Sequence, residues 1–180
     1  MKHLYIIGGT MGVGKTTTCQ ILKNRLDNCV FLDGDWCWDS SPFQVMEETN
    51  AMAEDNICYL LNRFLHCSAY TNILFCWVMH EQSIIDHLMA ALDLNGVQLH
   101  LISLVCSEAA LRTRLAKDVE TGKRTADVIE RSIARIPLYH ELNTRKVDVS
   151  EITAEEAADQ IQHDDGFSLI CRNWRREEKK

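Results

Sequence analysis

The residues best suited to chemistry lie near the amino terminus, where four glycines precede a single lysine. Gly8 to Thr17 reads GGTMGVGKTT, and the spacing from Gly9 to Thr16 matches G-x-x-x-x-G-K-[ST]. In such a loop the bare glycine backbone lets N–H groups approach a phosphate chain. The lysine then reaches the outer phosphates, and the threonine hydroxyl binds Mg2+. The pattern predicts a P-loop that binds ATP and Mg2+, with these nucleotide contacts: Gly9, Thr10, Met11, Gly12, Val13, Gly14, Lys15, Thr16 and Thr17.

The segments on either side of this loop support the interpretation. An apolar run at 4–7 predicts a strand before it, and Cys19, Leu22 and Leu26 give the following segment one apolar helical face. A helix that begins at the loop directs its positive end toward a bound anion. The strand-loop-helix context that the motif requires is therefore present.

Two carboxylates follow the second apolar run, in the sequence Asp33-Gly34-Asp35-Trp36. Ligands of open parallel sheets bind at the carboxyl ends of the strands, so these side chains are expected at the mouth of a site. One carboxylate near Mg2+ and one that orients or deprotonates an attacking hydroxyl would suit phosphoryl transfer. The alternative is an ordinary Asp-Gly turn.

The third apolar run carries no acidic residue of its own, and Trp77, Val78, Met79, His80 and Glu81 come at and after its end. The carboxylate near Mg2+ is therefore assigned to Asp33. His80 either contacts the substrate or simply starts a helix. The aromatic residues near the strand ends either line an acceptor pocket or fill the core. They are Trp36, Trp38, Phe43 and Trp77.

Positive charge is concentrated in LRTRLAKDVETGKRTADVIERSIAR, residues 111–135. Arginines stabilise the charge of a transferring phosphoryl group, and Thr121-Gly122-Lys123 interrupts the helical pattern. We expect a mobile lid at about 116–128 that carries Arg124 over the phosphates and excludes water. The alternative is a pair of solvated helices, because acidic residues interleave at i,i+4 spacing.

Apolar runs alternate with helical patterns along the whole chain, which predicts an α/β fold with a parallel sheet and helices on both faces. Its 180 residues suit one domain, expected at 1–165, followed by a charged tail at 166–180. Ser41-Pro42-Phe43-Gln44 and Thr153-Ala154-Glu155-Glu156 resemble capping boxes and predict two helix starts.

Composition narrows the class of protein. The formal net charge of −7 argues against a nucleic-acid partner. No apolar run is long enough to span a bilayer, and the start MKHLYIIGG lacks a signal-peptide pattern, so we expect a cytoplasmic protein. The eight cysteines contain no C-x-x-C pair, which favours neither disulfides nor zinc. The oligomeric state stays open.

Taken together, the P-loop, the D-x-D of Asp33 and Asp35 and an arginine-bearing lid resemble the small P-loop kinases of the nucleoside monophosphate kinase type. The shikimate kinase, gluconate kinase and chloramphenicol phosphotransferase branch is the most similar. The resemblance implies a sheet order of 2-3-1-4-5. By the same resemblance, Asp33 lies near Mg2+, Asp35 binds the acceptor hydroxyl and acts as base, and Arg124 stabilises the transferring group. Arg114 corresponds to an arginine that contacts adenine or phosphate.

These observations predict ATP- and Mg2+-dependent transfer to a hydroxyl of a small metabolite or antibiotic-like molecule. The catalytic residues would be Lys15, Asp35 and Arg124. The predicted substrate contacts are Asp33, Asp35, Trp36, Trp77 and His80. A nucleoside or nucleotide kinase is the first alternative, with tryptophans stacking a base. A nucleotide-binding switch ranks lower, since no N-K-x-D guanine-reading sequence is present.

Overall fold

A parallel sheet forms the centre of the molecule. The computed structural model describes residues 1–163, and in these the five strands lie in the order β2-β3-β1-β4-β5. The predicted α/β class and the order 2-3-1-4-5 are therefore confirmed. The strands are β1 (Lys2–Gly8), β2 (Cys29–Asp33), β3 (Asn72–Trp77), β4 (Val97–Val105) and β5 (Arg145–Asp148).

Helices connect successive strands, as parallel pairing requires. They are α1 (Lys15–Arg25), α2 (Glu47–His66), α3 (Gln82–Ala91), α4 (Glu108–Glu120), α5 (Asp127–Ile133), α6 (Ile136–Glu141) and α7 (Ala154–Gln162). A short 3₁₀ turn, Gly34–Cys37, follows β2 directly.

The core has two halves, one on each face of the sheet. Because strand side chains alternate between faces, Leu4 and Ile6 of β1 belong to one buried cluster, which includes residues of α2 and α3. Tyr5 and Ile7 belong to the other cluster, which includes residues of α1, α4 and α7. Burying each such aliphatic side chain contributes about 1.5–3 kcal/mol before chain entropy is counted. Both faces are covered, which gives the expected three layers.

One predicted helix start is wrong and one is confirmed. The helix expected at Ser41 begins only at Glu47. There the Thr49 hydroxyl accepts a hydrogen bond from the Met46 backbone N–H, so a later residue supplies the cap. At the other site, Thr153 and Glu156 form the reciprocal hydrogen bonds of a capping box at the start of α7.

The segment expected to form a lid is interrupted as predicted. Helix α4 ends at Glu120, residues 121–126 are non-helical, and α5 starts at Asp127. Gly122 adopts φ +71°, a conformation that L side chains disfavour, which explains the break. The tail at 166–180 lies outside the described residues, and the domain boundary at 165 stays a prediction. Within residues 1–163, no helix combines the length and apolar character required to cross a bilayer.

Candidate active site

Strand register brings the ends of three strands to one place. Gly8 of β1 pairs with Trp77 of β3, and Asp33 of β2 pairs with Cys76 of β3. The loop after Gly8, the carboxylates after β2 and the segment after β3 therefore share one edge of the sheet. This is the edge where parallel sheets bind their ligands.

The glycine-rich loop occupies residues 9–14, between β1 and α1. Gly14 adopts φ +109°, and the space around it is open, so the loop presents bare backbone at the start of α1. Gly12 adopts φ +81°, and a Cβ there would lie 2.4 Å from Leu115 Cδ2. The glycine at this position therefore allows α4 to pack against the loop. By contrast, Thr10 and Val13 are buried, and the Thr10 hydroxyl donates a hydrogen bond to the Ser132 carbonyl at 2.9 Å.

Lys15 curls back over the loop that precedes it. Its ammonium donates hydrogen bonds to the carbonyls of Gly9 at 2.9 Å and Thr10 at 3.1 Å. Burial lowers the pKa of Lys15, and the nearby carboxylates of Asp33 and Asp35 oppose that shift. A phosphate chain would offer this ammonium stronger, charged acceptors than the two carbonyls do.

Thr16 and Asp33 form the oxygen-rich part of the site. The Thr16 hydroxyl donates to Asp33 Oδ2 at 2.7 Å, and Asp33 is only 6% exposed. Asp33 Oδ1 accepts the Asp35 backbone N–H at 3.2 Å, which fixes the start of the 3₁₀ turn. Hydroxyl and carboxylate oxygens are ligands that Mg2+ prefers. The pair therefore fits the metal role predicted for these two residues.

Asp35 differs from Asp33 in its surroundings. Partial burial and the adjacent charge of Asp33 raise the pKa of Asp35. The charges of Lys15 and Arg124 and a hydrogen bond from Trp77 oppose this rise in the pKa. A raised pKa brings a carboxylate closer to the range in which it accepts a proton efficiently. The electrostatics of Asp35 thus suit a general base.

A cavity of about 210 Å³ joins these groups. Arg124 reaches it from the segment between α4 and α5, where its Nε lies 3.4 Å from Asp118 Oδ2. The cavity is lined by Met11, Gly12, Gly14, Lys15, Thr16, Thr17, Asp33, Asp35, Val78, Asp118 and Arg124. The fold therefore brings together the three residues predicted to be catalytic. Below it is called the phosphate cavity.

Arg114 lies on the other side of the loop. Its guanidinium donates to the carbonyls of Val13 and Val149, and so connects the loop to the segment after β5. These residues border a separate cavity of about 270 Å³, which also includes Ile152 and Thr153. This cavity adjoins the loop, and Asp35 is not among its lining residues.

A third cavity of about 520 Å³ is lined by residues that follow Asp35 in the sequence, starting with Trp36. Trp36 is 55% exposed and borders this cavity, whereas Trp77 is 8% exposed and packs beneath Gly34. Trp77 therefore supports the turn from below. His80 is partly buried, with Nε2 lying 3.6 Å from Glu81, and Arg135 is close enough to lower its pKa further after the effect of burial.

Some residues of the site were not predicted from the sequence. Asp118, which pairs with Arg124, reads as one charge among many on an amphipathic helix. Met52 and Asn56 of α2 border the third cavity. Met52 lies outside the buried stripe of α2, which contains Ala53, Ile57 and Leu61. An exposed methionine beside such a stripe is the signal that could have pointed to it.

Comparisons with known proteins identify the family and the fold. A family model described as "AAA domain" matches residues 6–135, more than half of the chain. No curated protein matches the sequence significantly. Among the described residues, no three His, Cys, Asp or Glu side chains form a cluster that could hold a metal by themselves.

Similar solved structures cover nearly the whole chain. A gluconokinase from Sinorhizobium meliloti 1021 has a TM-score of 0.66 and 16% identity, covering 97% of this chain and 97% of its own. The Deinococcus radiodurans tunicamycin resistance protein has a TM-score of 0.62 and 18% identity, over 89% and 94% of the two chains. Shikimate kinase from Acinetobacter baumannii, in complex with shikimate, has a TM-score of 0.58 and 17% identity, over 97% and 95%.

The resemblance inferred from the P-loop, the paired aspartates and the lid arginine is thereby confirmed at the level of family and fold. The chain belongs to the AAA domain family, and its fold is that of the small P-loop kinases.

Proposed function

We propose that this protein transfers the γ-phosphoryl group of ATP to a hydroxyl of a small molecule. The observation that carries the proposal is the phosphate cavity, where Lys15, the Thr16–Asp33 pair, Asp35 and Arg124 border one space. Such a set offers phosphate binding, metal binding, a base and a second cation. The kinase folds of the similar structures support the proposal.

In the proposed mechanism, the loop N–H groups and Lys15 hold the β- and γ-phosphates. Thr16 and Asp33 would hold Mg2+, which neutralises charge on the phosphate oxygens when it is bound. Asp35 orients the acceptor hydroxyl and takes its proton as the oxygen attacks the γ-phosphorus. Arg124 stabilises the charge on the equatorial oxygens. The lid segment at 116–128 closes over the phosphates and excludes water as a competing acceptor.

The cavity bordered by Arg114, Val149 and Ile152 is assigned to the nucleotide base. It adjoins the loop on the side away from Asp35, so a base placed there leaves the acceptor side free. The guanidinium of Arg114 is already held by two carbonyls, which fixes its plane against the loop. A planar guanidinium held in this way stacks well on an aromatic ring.

A nucleoside kinase is the second candidate. The exposed indole of Trp36 favours it, because a base stacks readily on such a ring. Phosphorylation of a nucleoside would use the same base, cation and phosphate cavity. The two candidates therefore differ only in the molecule that occupies the space beyond Asp35.

The test measures ADP release with Mg2+ and ATP across hydroxyl compounds, including sugars, sugar acids, hydroxylated aromatics, antibiotics, nucleosides and nucleoside monophosphates. We expect stimulation by one class, and a loss of at least roughly 10²–10³-fold in Lys15→Ala, as for removal of one transition-state donor. Lys23→Ala is the matched control, since its ammonium contacts Gln20 on the far turn of the same helix.

Normal turnover in Lys15→Ala would contradict the proposal. So would tight nucleotide binding in the wild type without stimulation by any acceptor, a result that would favour a nucleotide-sensing module. Stimulation by nucleosides alone would select the second candidate.

A further inference from the structure

The cavity beyond Asp35 is built differently from the phosphate cavity. Its walls come from the 3₁₀ turn, the segment after it and the first half of α2. The lining residues are Trp36, Cys37, Trp38, Asp39, Ser40, Ser41, Pro42, Gln44, Thr49, Met52 and Asn56. Asp35 borders the phosphate cavity and directly precedes Trp36, which borders this one, so the two cavities meet at consecutive residues of the turn. Below it is called the acceptor cavity.

No positive charge borders the acceptor cavity. Of the described residues that line it, Asp39 is the only charged one, and none is Lys, Arg or His. The sequence extends this observation, because residues 26–62 contain eight acidic residues and no Lys, Arg or His. The acidic residues are Asp27, Asp33, Asp35, Asp39, Glu47, Glu48, Glu54 and Asp55.

Large apolar side chains are exposed around the same cavity. Trp36 and Met52 line it and are 55% and 46% exposed, and Phe43, between the lining residues Pro42 and Gln44, is 58% exposed. The ring of Trp36 packs edge-on against Phe31, with 5.1 Å between ring centroids. The ring of Phe43 packs edge-on against Trp38, with 4.9 Å between ring centroids. Apolar side chains that are grouped and oriented but left in water mark a surface that a ligand covers. A flat apolar ligand body would remove their exposed area from water.

We propose that the acceptor is a hydroxylated molecule with a flat apolar body and no negative charge, and that its body binds in the acceptor cavity. This inference rests on the proposed phosphoryl transfer. A carboxylate or phosphate on the body would lie beside Asp39, against walls that contribute no Lys, Arg or His, and would be repelled. A neutral body meets no such penalty. An amine gains attraction from Asp39 and from the indole face of Trp36.

The reaction on such an acceptor balances without a further reactant. The acceptor oxygen forms a bond to the γ-phosphorus, and the bond from that phosphorus to the bridging oxygen breaks. ADP leaves with the electron pair, and the hydroxyl proton passes to Asp35. The products are a phosphate monoester and ADP.

The first experiment compares three benzyl alcohols that differ only at the far side of the ring, which carries a methyl, an aminomethyl or a carboxylate group. Binding is measured by titration calorimetry with MgADP present, and turnover by ADP release. We expect the methyl and aminomethyl compounds to bind at least roughly tenfold more tightly than the carboxylate. Preference for the carboxylate would overturn the inference, and so would failure of all three to bind.

The second experiment tests the cavity itself. With the best acceptor, Trp36→Ala should raise KM roughly fivefold to thirtyfold, which corresponds to one lost ring contact, and change kcat little. Tyr59→Ala is the control, because Tyr59 is 66% exposed on the same helix as Met52 but does not border the cavity. Met52→Lys should shift the preference toward the carboxylate compound. Equal effects of Trp36→Ala and Tyr59→Ala would overturn the inference.

Failure of this inference can be told apart from failure of the proposed function. If transfer depends on Lys15 but the accepted compounds are anionic, the kinase proposal stands and the inference falls. If no compound stimulates ADP release, yet the benzyl alcohols bind with the expected preference and lose affinity in Trp36→Ala, the transfer proposal falls instead.

Discussion

The phosphate cavity and the acceptor cavity share the 3₁₀ turn Gly34–Cys37 but are lined by different kinds of groups. The first is made of glycine backbone and charged groups, with Lys15, Asp33 and Arg124 around about 210 Å³. The second is made of aromatic, apolar and small polar side chains around about 520 Å³. The proposed function explains the difference, because every nucleoside triphosphate presents the same phosphates, whereas acceptors differ in shape and charge.

Substitutions in the two linings should therefore have different kinetic consequences. Charged groups around the reacting phosphorus act on charge that develops in the transition state, so their loss lowers kcat. Apolar walls bind the acceptor body equally before and during reaction, so their loss raises KM. A phosphate-cavity variant that changes only KM, or an acceptor-cavity variant that changes only kcat, would contradict this assignment.

The largest effect is expected for Asp35→Asn. The amide keeps the shape of the side chain but cannot accept the hydroxyl proton, so kcat should fall by about 10³-fold, within the usual 10²–10⁴ range for general base catalysis. Steady-state kinetics with the best acceptor measure this. Asp55→Asn, an exposed carboxylate on α2, serves as control. An unchanged rate in Asp35→Asn would move the base to another residue, with Glu81 next to be tested.

The same residue predicts a pH dependence. Burial and the Asp33 charge raise the pKa of Asp35 above its ordinary 3.8, and the ionised form is the one that accepts a proton. Activity should therefore be complete above the raised pKa and fall as the pH drops through it. The acid limb of kcat/KM should disappear in Asp35→Asn. An acid limb that persists in this variant would belong to another group.

A smaller loss is expected for Arg124→Ala. Its guanidinium borders the phosphate cavity and pairs with Asp118, so removal should lower kcat by about 10²-fold and leave the KM of the acceptor nearly unchanged. Arg131→Ala is the matched control, since Arg131 pairs with Asp127 on the surface of α5. A change confined to the KM of the acceptor would mean that Arg124 binds the acceptor and does not stabilise the phosphoryl group.

The two cavities also differ in how far the sequence predicts them. Loop glycines, Lys15 and Thr16 have a fixed spacing because phosphate geometry is fixed, and the sheet order followed from resemblance to a family with that loop. The acceptor cavity depends on where α2 begins. It starts at Glu47 and not Ser41, with Thr49 bonded to the Met46 N–H, while the preceding segment packs Trp38 on Phe43 and Trp77. The contact of Trp38 with Trp77 joins distant parts of the chain, and such a contact leaves no local sequence pattern.

The aromatic residues show the same limit. Trp36 and Trp77 looked equivalent in the sequence, since each stands at the end of an apolar run. In the fold, Trp77 lies under Gly34 while Trp36 is exposed beside the acceptor cavity. The last residue of a strand continues its alternation into the core, whereas a residue one turn later is rotated out. The turn that separates the two positions starts at Asp33, whose side chain accepts the Asp35 N–H.

The smallest expected effect tests the turn that joins the two cavities. A Cβ on Gly34 would lie 2.5 Å from Cδ1 and Cγ of the Trp77 indole and 3.0 Å from its Cβ, so the turn or the ring must shift. Overpacking of this kind costs about 1–3 kcal/mol of unfolding free energy. Chemical denaturation of Gly34→Ala measures it, with Gly8→Ala as control because its added Cβ would make only ordinary contacts at 3.6–3.7 Å. Since the turn carries Asp35 on one side and Trp36 on the other, Gly34→Ala should lower kcat and raise acceptor KM together. A change in only one of these constants would mean that the cavities are positioned independently of the turn.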